Sequence, residues 1–204
     1  MKKIIIACFL MQCMGLVYAQ ERLPTINPSQ YTTEQKFAAD EFEKARKRPV
    51  FGPFEPLMHS PEVMTLARSM GDYLRYKSAL GNVLSEFVIL VTAREWSQDY
   101  EWSIHYPIAL QAGIKKDIVD AVKDGRRPQG MTADEEMVYE FSIELHRHKR
   151  VSDQTFKRVE QRFGKKGVVD LVGINAYYTL LAMQMNVAQQ PIPKGGEKLP
   201  RFPD

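Results

Sequence analysis

The chain has 204 residues, 44% hydrophobic and 26% charged, with 28 Lys and Arg against 25 Asp and Glu for a formal charge of +3. That length and apolar content suit one domain with its own core, and the near balance of charge gives no electrostatic basis for binding nucleic acid or an anionic membrane. Both cysteines, Cys8 and Cys13, lie close to the N-terminus.

Residues 1–19 read as a signal peptide. Lys2 and Lys3 precede an apolar run from Ile4 to Val17, and Val17-Tyr18-Ala19 offers small residues where a signal peptidase reads. The run is shorter than the roughly 20 residues of a membrane span. An uncleaved anchor is the alternative, and a lipid on Cys13 is opposed by the bulky Gln12 before it. The expected location is periplasmic or secreted, with no membrane partner after cleavage. Cleavage removes both cysteines, and with them any disulfide, thiolate metal site or thiol redox cycle. It also removes Lys2 and Lys3, lowering the charge from +3 to about +1.

Residues 20–56 form a Pro-rich, charged arm with one helix, Thr33 to Arg48, apolar at Phe37, Phe42 and Ala45 and stopped by the Pro49 to Pro56 segment. The arm either docks on the body or a partner subunit, or is a flexible linker. Residues 57–190 are the helical domain. Ser60 caps a helix with Pro61 at its first position and a stripe of Val63, Leu66, Ala67, Met70, Tyr73 and Leu74. Asn82 starts the next helix, which carries Leu84, Phe87, Val88, Leu90 and Val91 toward Ala93. A break at Ser97 to Asp99 precedes a helix ending at Gly113. Lys116 to Lys123 is a short helix closed by Gly125, and Thr132 to Glu135 is a capping box opening a helix with Met137, Val138, Phe141, Ile143 and Leu145. Ser152 or Asp153 caps another with Phe156, Val159 and Phe163. Lys166 to Gln189 is a long last helix, apolar around much of its circumference and expected to be buried between neighbours. Residues 191–204 form an extended tail. No period-2 strand pattern interrupts this, so the fold class is all-α.

The segment Glu86 to His105 holds both tryptophans beside several ionisable groups. With Ser97 capping the second helix, Glu101 and His105 stand four apart on one face. Glu86 lies amid Leu84, Phe87 and Val88, where burial would raise its pKa; with an imidazole titrating near pH 6.5, such groups can divide acid and base roles near neutrality. An ordinary surface pair explains the same Glu-His spacing. Trp96 and Trp102 can pack or line a pocket, and Arg94 can clamp a substrate carboxylate or pair with Glu95 or Asp99. His146 and His148 at i and i+2 face apart, which argues against a metal site and for a solvated basic helix end. His59 reads as a loop residue packing at a helix start. No phosphate loop or Ser-His-Asp arrangement is present.

Arg94-Glu95-Trp96, then Tyr100-Glu101-Trp102 and His105, resembles the signature of the carboxymuconolactone decarboxylase family. Phe54 to Pro61 is similar to its opening segment, Ala112-Gly113-Ile114 and Gly125-Arg126-Arg127-Pro128 to its middle, and Leu171 to Asn186, with Tyr177 and Tyr178, to its closing helix, so the resemblance covers about two thirds of the chain. It implies a compact helical bundle of the alkylhydroperoxidase D-like type, assembled as a homo-oligomer (trimer or hexamer). The thiol branch carries Glu, Cys-x-x-Cys and a His four residues on. Glu86 and His105 match that Glu and His, but Gln98 and Glu101 stand at the cysteine positions, which disfavours a peroxidase or peroxiredoxin activity.

The decarboxylase branch implies acid/base chemistry on a small carboxylated or lactone substrate with no cofactor and no metal. In that reading His105 carries the proton, Glu86 orients it, Glu101 is a second acid/base group, and Arg94, Tyr100 and Trp102 bind substrate. A non-catalytic periplasmic binding or assembly module on the same scaffold is the alternative.

Overall fold

The computed structural model describes residues 22–201, and the signal-peptide reading of residues 1–19 lies outside them. Among the described residues there are eight α-helices and no strand: α1 (Thr33–Arg46), α2 (Phe54–Leu57), α3 (Pro61–Lys77), α4 (Gly81–Glu95), α5 (Asp99–Ala112), α6 (Lys116–Lys123), α7 (Ala133–His148) and α8 (Asp153–Ala188). The chain is all-α, as the periodicity predicts.

Helix α4 is the centre of the bundle. Every residue from Leu84 to Arg94 is buried, and the helix touches α3, α5, α6, α7 and α8. Its near-continuous apolar run leaves no polar face, and a helix with no polar face is stable only when surrounded. Helix α5 folds back along α4 through three residues, Trp96 to Gln98, with Ser97 in the left-handed region at φ 47°. Ser97 is therefore not the cap. Gln98 takes that role, its side chain accepting from Tyr100 N–H at 2.6 Å. The same amide donates to Asn186 Oδ1 on α8 at 2.8 Å, and Asn186 donates to Trp96 O at 3.2 Å. The α4–α5 turn is thus pinned to α8.

The arm packs against the body. Thr32 and Gln35 form a capping box that starts α1, and α1 lies on α3 with Phe42 fully buried. Phe42, Phe51 and Phe54 stack edge to face, with centroids 5.0 to 5.9 Å apart. Helix α2 forms inside the Pro-rich segment expected to exclude helix. Its Pro56 falls in the first turn, where a missing N–H costs nothing.

Two predicted faces are turned. Ser60 makes no side-chain cap bond, and α3 buries Met64, Ala67, Gly71 and Leu74 instead of the full predicted stripe. The cause is close approach between α3 and α8: a Cβ on Gly71 would lie 2.3 Å from the Tyr177 hydroxyl. The small residues must therefore face inward, which rotates Val63, Leu66, Met70 and Tyr73 outward. Helix α8 is two helical stretches joined across a kink at Gly164 (φ 69°, ψ 176°), a conformation glycine adopts freely, and the kink falls between the two helices expected from the sequence. The helix is not buried all round. Leu171, Ile174, Tyr178, Leu181 and Met185 face the core, while Val169, Val172, Leu180, Met183 and Val187 are exposed. By length and composition α8 could cross a membrane, yet 56% of its apolar window is buried inside the bundle. After α8 the chain returns along α5: Leu199 is buried and donates to Asp99 Oδ1 at 2.9 Å, and Arg201 pairs with Asp99 at 2.7 Å.

Candidate active site

Glu86, Glu101 and His105 converge. The imidazole is held from both ends, with Nδ1 2.6 Å from Glu86 Oε2 and Nε2 3.3 Å from Glu101 Oε2. Exposure is 0% for Glu86, 3% for Glu101 and 4% for His105, which removes the surface-pair explanation of this spacing. Antiparallel packing of α4 on α5 supplies the Glu86–His105 bond, and the i,i+4 relation on α5 supplies the second.

Arg75 on α3 completes the cluster. Its Nε and Nη2 both lie 3.2 Å from Glu86 Oε1, so each oxygen of Glu86 has a cationic or hydrogen-bonding partner. Burial pushes the Glu86 carboxyl up, but His105 and Arg75 outweigh it, and the group sits below its ordinary value. This reverses the expectation from sequence, which saw the apolar neighbours on α4 and missed a cation arriving from α3. Burial pulls the His105 imidazole down, and the two carboxylates outweigh it, raising it above its ordinary value.

Thermal stability should follow these signs. The Glu86 contribution is present above its unfolded pKa near 4.5 and is lost as pH falls through the depressed folded value. The His105 contribution is complete below 6.5 and is lost as pH rises through the raised folded value. Melting the wild type and His105→Gln from about pH 4 to pH 9 should show a stability gap that narrows in the alkaline range. A gap widening with pH would contradict the assigned shift.

The cluster opens into a cavity of about 170 Å³, lined in part by Arg75, Tyr100, Glu101, His105, Tyr177 and Tyr178. The volume is below the roughly 300–1,000 Å³ of clefts that hold drug-sized ligands, so the cavity has room only for a small molecule. Tyr178 stands edge-on to the His105 ring at 5.3 Å. Burial raises both tyrosine phenols and keeps them protonated. Glu101 Oε1 is buried with no hydrogen-bond partner among the described residues.

Of the predicted binding residues, Tyr100 lines this cavity while Arg94 and Trp102 do not. Arg94 is on another face, donating to Ser97 Oγ at 3.1 Å beside Glu95 and Arg147. Trp102 is 1% exposed and packs on Tyr106 at 5.9 Å. Arg75 was not singled out from sequence, although it lies four residues after Gly71 and directly after the buried Leu74, a basic side chain at the edge of a buried stripe. In the sequence Tyr177 and Tyr178 mark only the closing helix. His146 is turned inward, 3.2 Å from Thr92 Oγ1, and burial lowers its pKa. It is no solvated helix end. His59 lies, as expected, in a loop, 3.0 Å from Pro24 O.

No family model matches the sequence, and no curated protein matches it. Among solved structures the fold is similar to an uncharacterized peroxidase-related protein from Silicibacter sp. TM1040, with a TM-score of 0.66 at 12% identity, covering 86% of this chain and 94% of that one. At that identity the likeness is one of fold, and it agrees with the all-α helical bundle expected from the sequence.

Proposed function

We propose that the protein is a cofactor-independent acid/base enzyme of the lyase or isomerase type, acting on a small carboxylated or lactone substrate in the periplasm. The observation that carries this reading is a buried imidazole held between two carboxylates, one anchored by Arg75 and the other, Glu101, lining a cavity with one oxygen unpartnered. Perturbed, desolvated acid/base groups at a cavity are what proton transfer requires.

Glu86 fixes the ring and stabilises its protonated form. His105 and Glu101 share the mobile proton through Nε2 and Oε2. In a decarboxylation the C–CO2 bond electrons pass into an enolate, CO2 leaves, and the proton held by His105 and Glu101 is delivered to the carbon. In an isomerisation the same pair removes a proton from one carbon and returns it to another.

The peroxidase-related neighbour raises thiol chemistry as a second reading. Here the positions matching, in spacing, the cysteines of the resembled family's thiol branch are Gln98, which caps α5, and Glu101, which faces the cavity. Neither forms a thiolate. Peroxide consumption sensitive to thiol alkylation in protein lacking residues 1–19 would reverse this choice.

The exposed apolar residues Val63, Leu66 and Met70 on α3 and Val169, Val172 and Leu180 on α8 support assembly of identical copies, since side chains of this size are covered in stable oligomers. Light scattering at micromolar concentration is expected to show a trimer or hexamer, and Leu66→Lys with Val169→Lys should shift it toward smaller species. A wild-type monomer would contradict the proposal.

A further inference from the structure

The arm supplies part of the cavity wall, including Arg46, Arg48, Phe51 and Phe54. Three guanidinium groups therefore line the cavity, and they are not equivalent. Arg75 is matched by Glu86 at 3.2 Å, and Arg46 by Asp72 at 2.7 Å. Arg48 is exposed, has no acidic partner among the described residues, and lies over the Phe51 ring at 3.6 Å. Stacking fixes the plane of a guanidinium while leaving its edge N–H groups free for a planar anion.

The charges can be followed pair by pair. Glu86 faces Arg75 and His105, Asp72 faces Arg46 and Arg68, and Glu101 faces His105. Arg48 faces no carboxylate among the described residues, and the same cavity holds the opposite deficiency, a buried Glu101 oxygen with no donor. A buried acceptor left unpaired costs free energy that a ligand can recover by donating to it.

We infer that the cavity takes a small anion whose carboxylate docks on Arg48 and whose hydroxyl or acidic C–H group faces Glu101. Arg48, and not Arg94, then sets the charge of the substrate, and the arm is part of the site. The reacting end rests on the proposed proton-transfer chemistry, whereas the anion subsite does not depend on turnover.

The test is calorimetric titration of the full folded protein with benzoate and its neutral isostere benzamide. The wild type should prefer benzoate by at least about tenfold, the size of one charge-assisted hydrogen bond. Arg48→Met should reduce that preference to within about twofold, Arg48→Lys should keep most of it because the charge remains, and Arg94→Met should leave it unchanged. No saturable benzoate binding, or a preference that survives Arg48→Met, would overturn the inference. Arg48 is exposed, so circular dichroism of its variants should match the wild type. If benzoate is selected through Arg48 but no proton transfer is found with any carbon acid, the subsite stands and the proposed chemistry falls.

Discussion

A His105→Gln variant is expected to keep the fold and lose at least about 100-fold in turnover, the typical contribution of a positioned general acid or base. Glutamine preserves much of the volume and offers an N–H toward Glu86, so the 2.6 Å bond has a substitute. It cannot accept and release a proton near neutrality. The loss should appear in kcat more than in KM, because the lost group acts on the transition state rather than on binding. The pH profile should change too. In the wild type the rate of a step needing protonated His105 falls as pH rises through its raised pKa, and the variant should lose that limb. A loss under about threefold on a substrate the protein turns over would remove His105 from the chemistry.

The second large effect is on stability. Glu86→Gln should cost about 3–5 kcal/mol, because it strands the Arg75 guanidinium, whose side chain is 21% exposed, against a neutral amide and removes the charge that favours protonated His105. For a chain of this size that corresponds to roughly 10 °C in melting temperature. Glu101→Gln should behave differently. It strands no guanidinium, its Oε1 has no partner to lose, and an amide oxygen can still accept at the Oε2 position 3.3 Å from Nε2, so the variant should cost less stability than Glu86→Gln while activity falls at least about tenfold. Thermal melts and initial rates on the two variants would separate an anchoring carboxylate from a reacting one. Equal effects on both stability and rate would show that the division is wrong.

The sequence carried the helices well because their local signals are strong. Thr132 and Glu135 form the capping box predicted from their spacing, and Gly113 closes α5 in a left-handed conformation, as its position implied. Glu101 and His105 were readable as a pair because one helix relates them. Glu86 was readable through its spacing to His105 in the resembled family, and the packing of α4 on α5 brings the two together.

What was hidden depends on helix rotation and on distant chain segments. Apolar size predicts one stripe on α3 and closeness of approach selects another; Gly71 against Tyr177 decides which side faces in. Arg75 approaches Glu86 from 11 residues upstream on another helix, so the sign of the Glu86 shift could not be read from its own neighbours. Arg94 reads as an anion clamp from its place in the motif. A helix sends adjacent residues in different directions, and its side chain ends beside Ser97 and Arg147, on another face from His105.

Hydrogen–deuterium exchange into carbon acids tests proton transfer at His105 most directly. Purified protein in D2O, presented with a panel of small carboxylated lactones and β-keto acids and followed by NMR, should place deuterium stereospecifically at the carbon next to the carbonyl, with the signal abolished in His105→Gln. Saturable binding of those compounds without deuterium incorporation, or incorporation that persists in His105→Gln, would contradict the account.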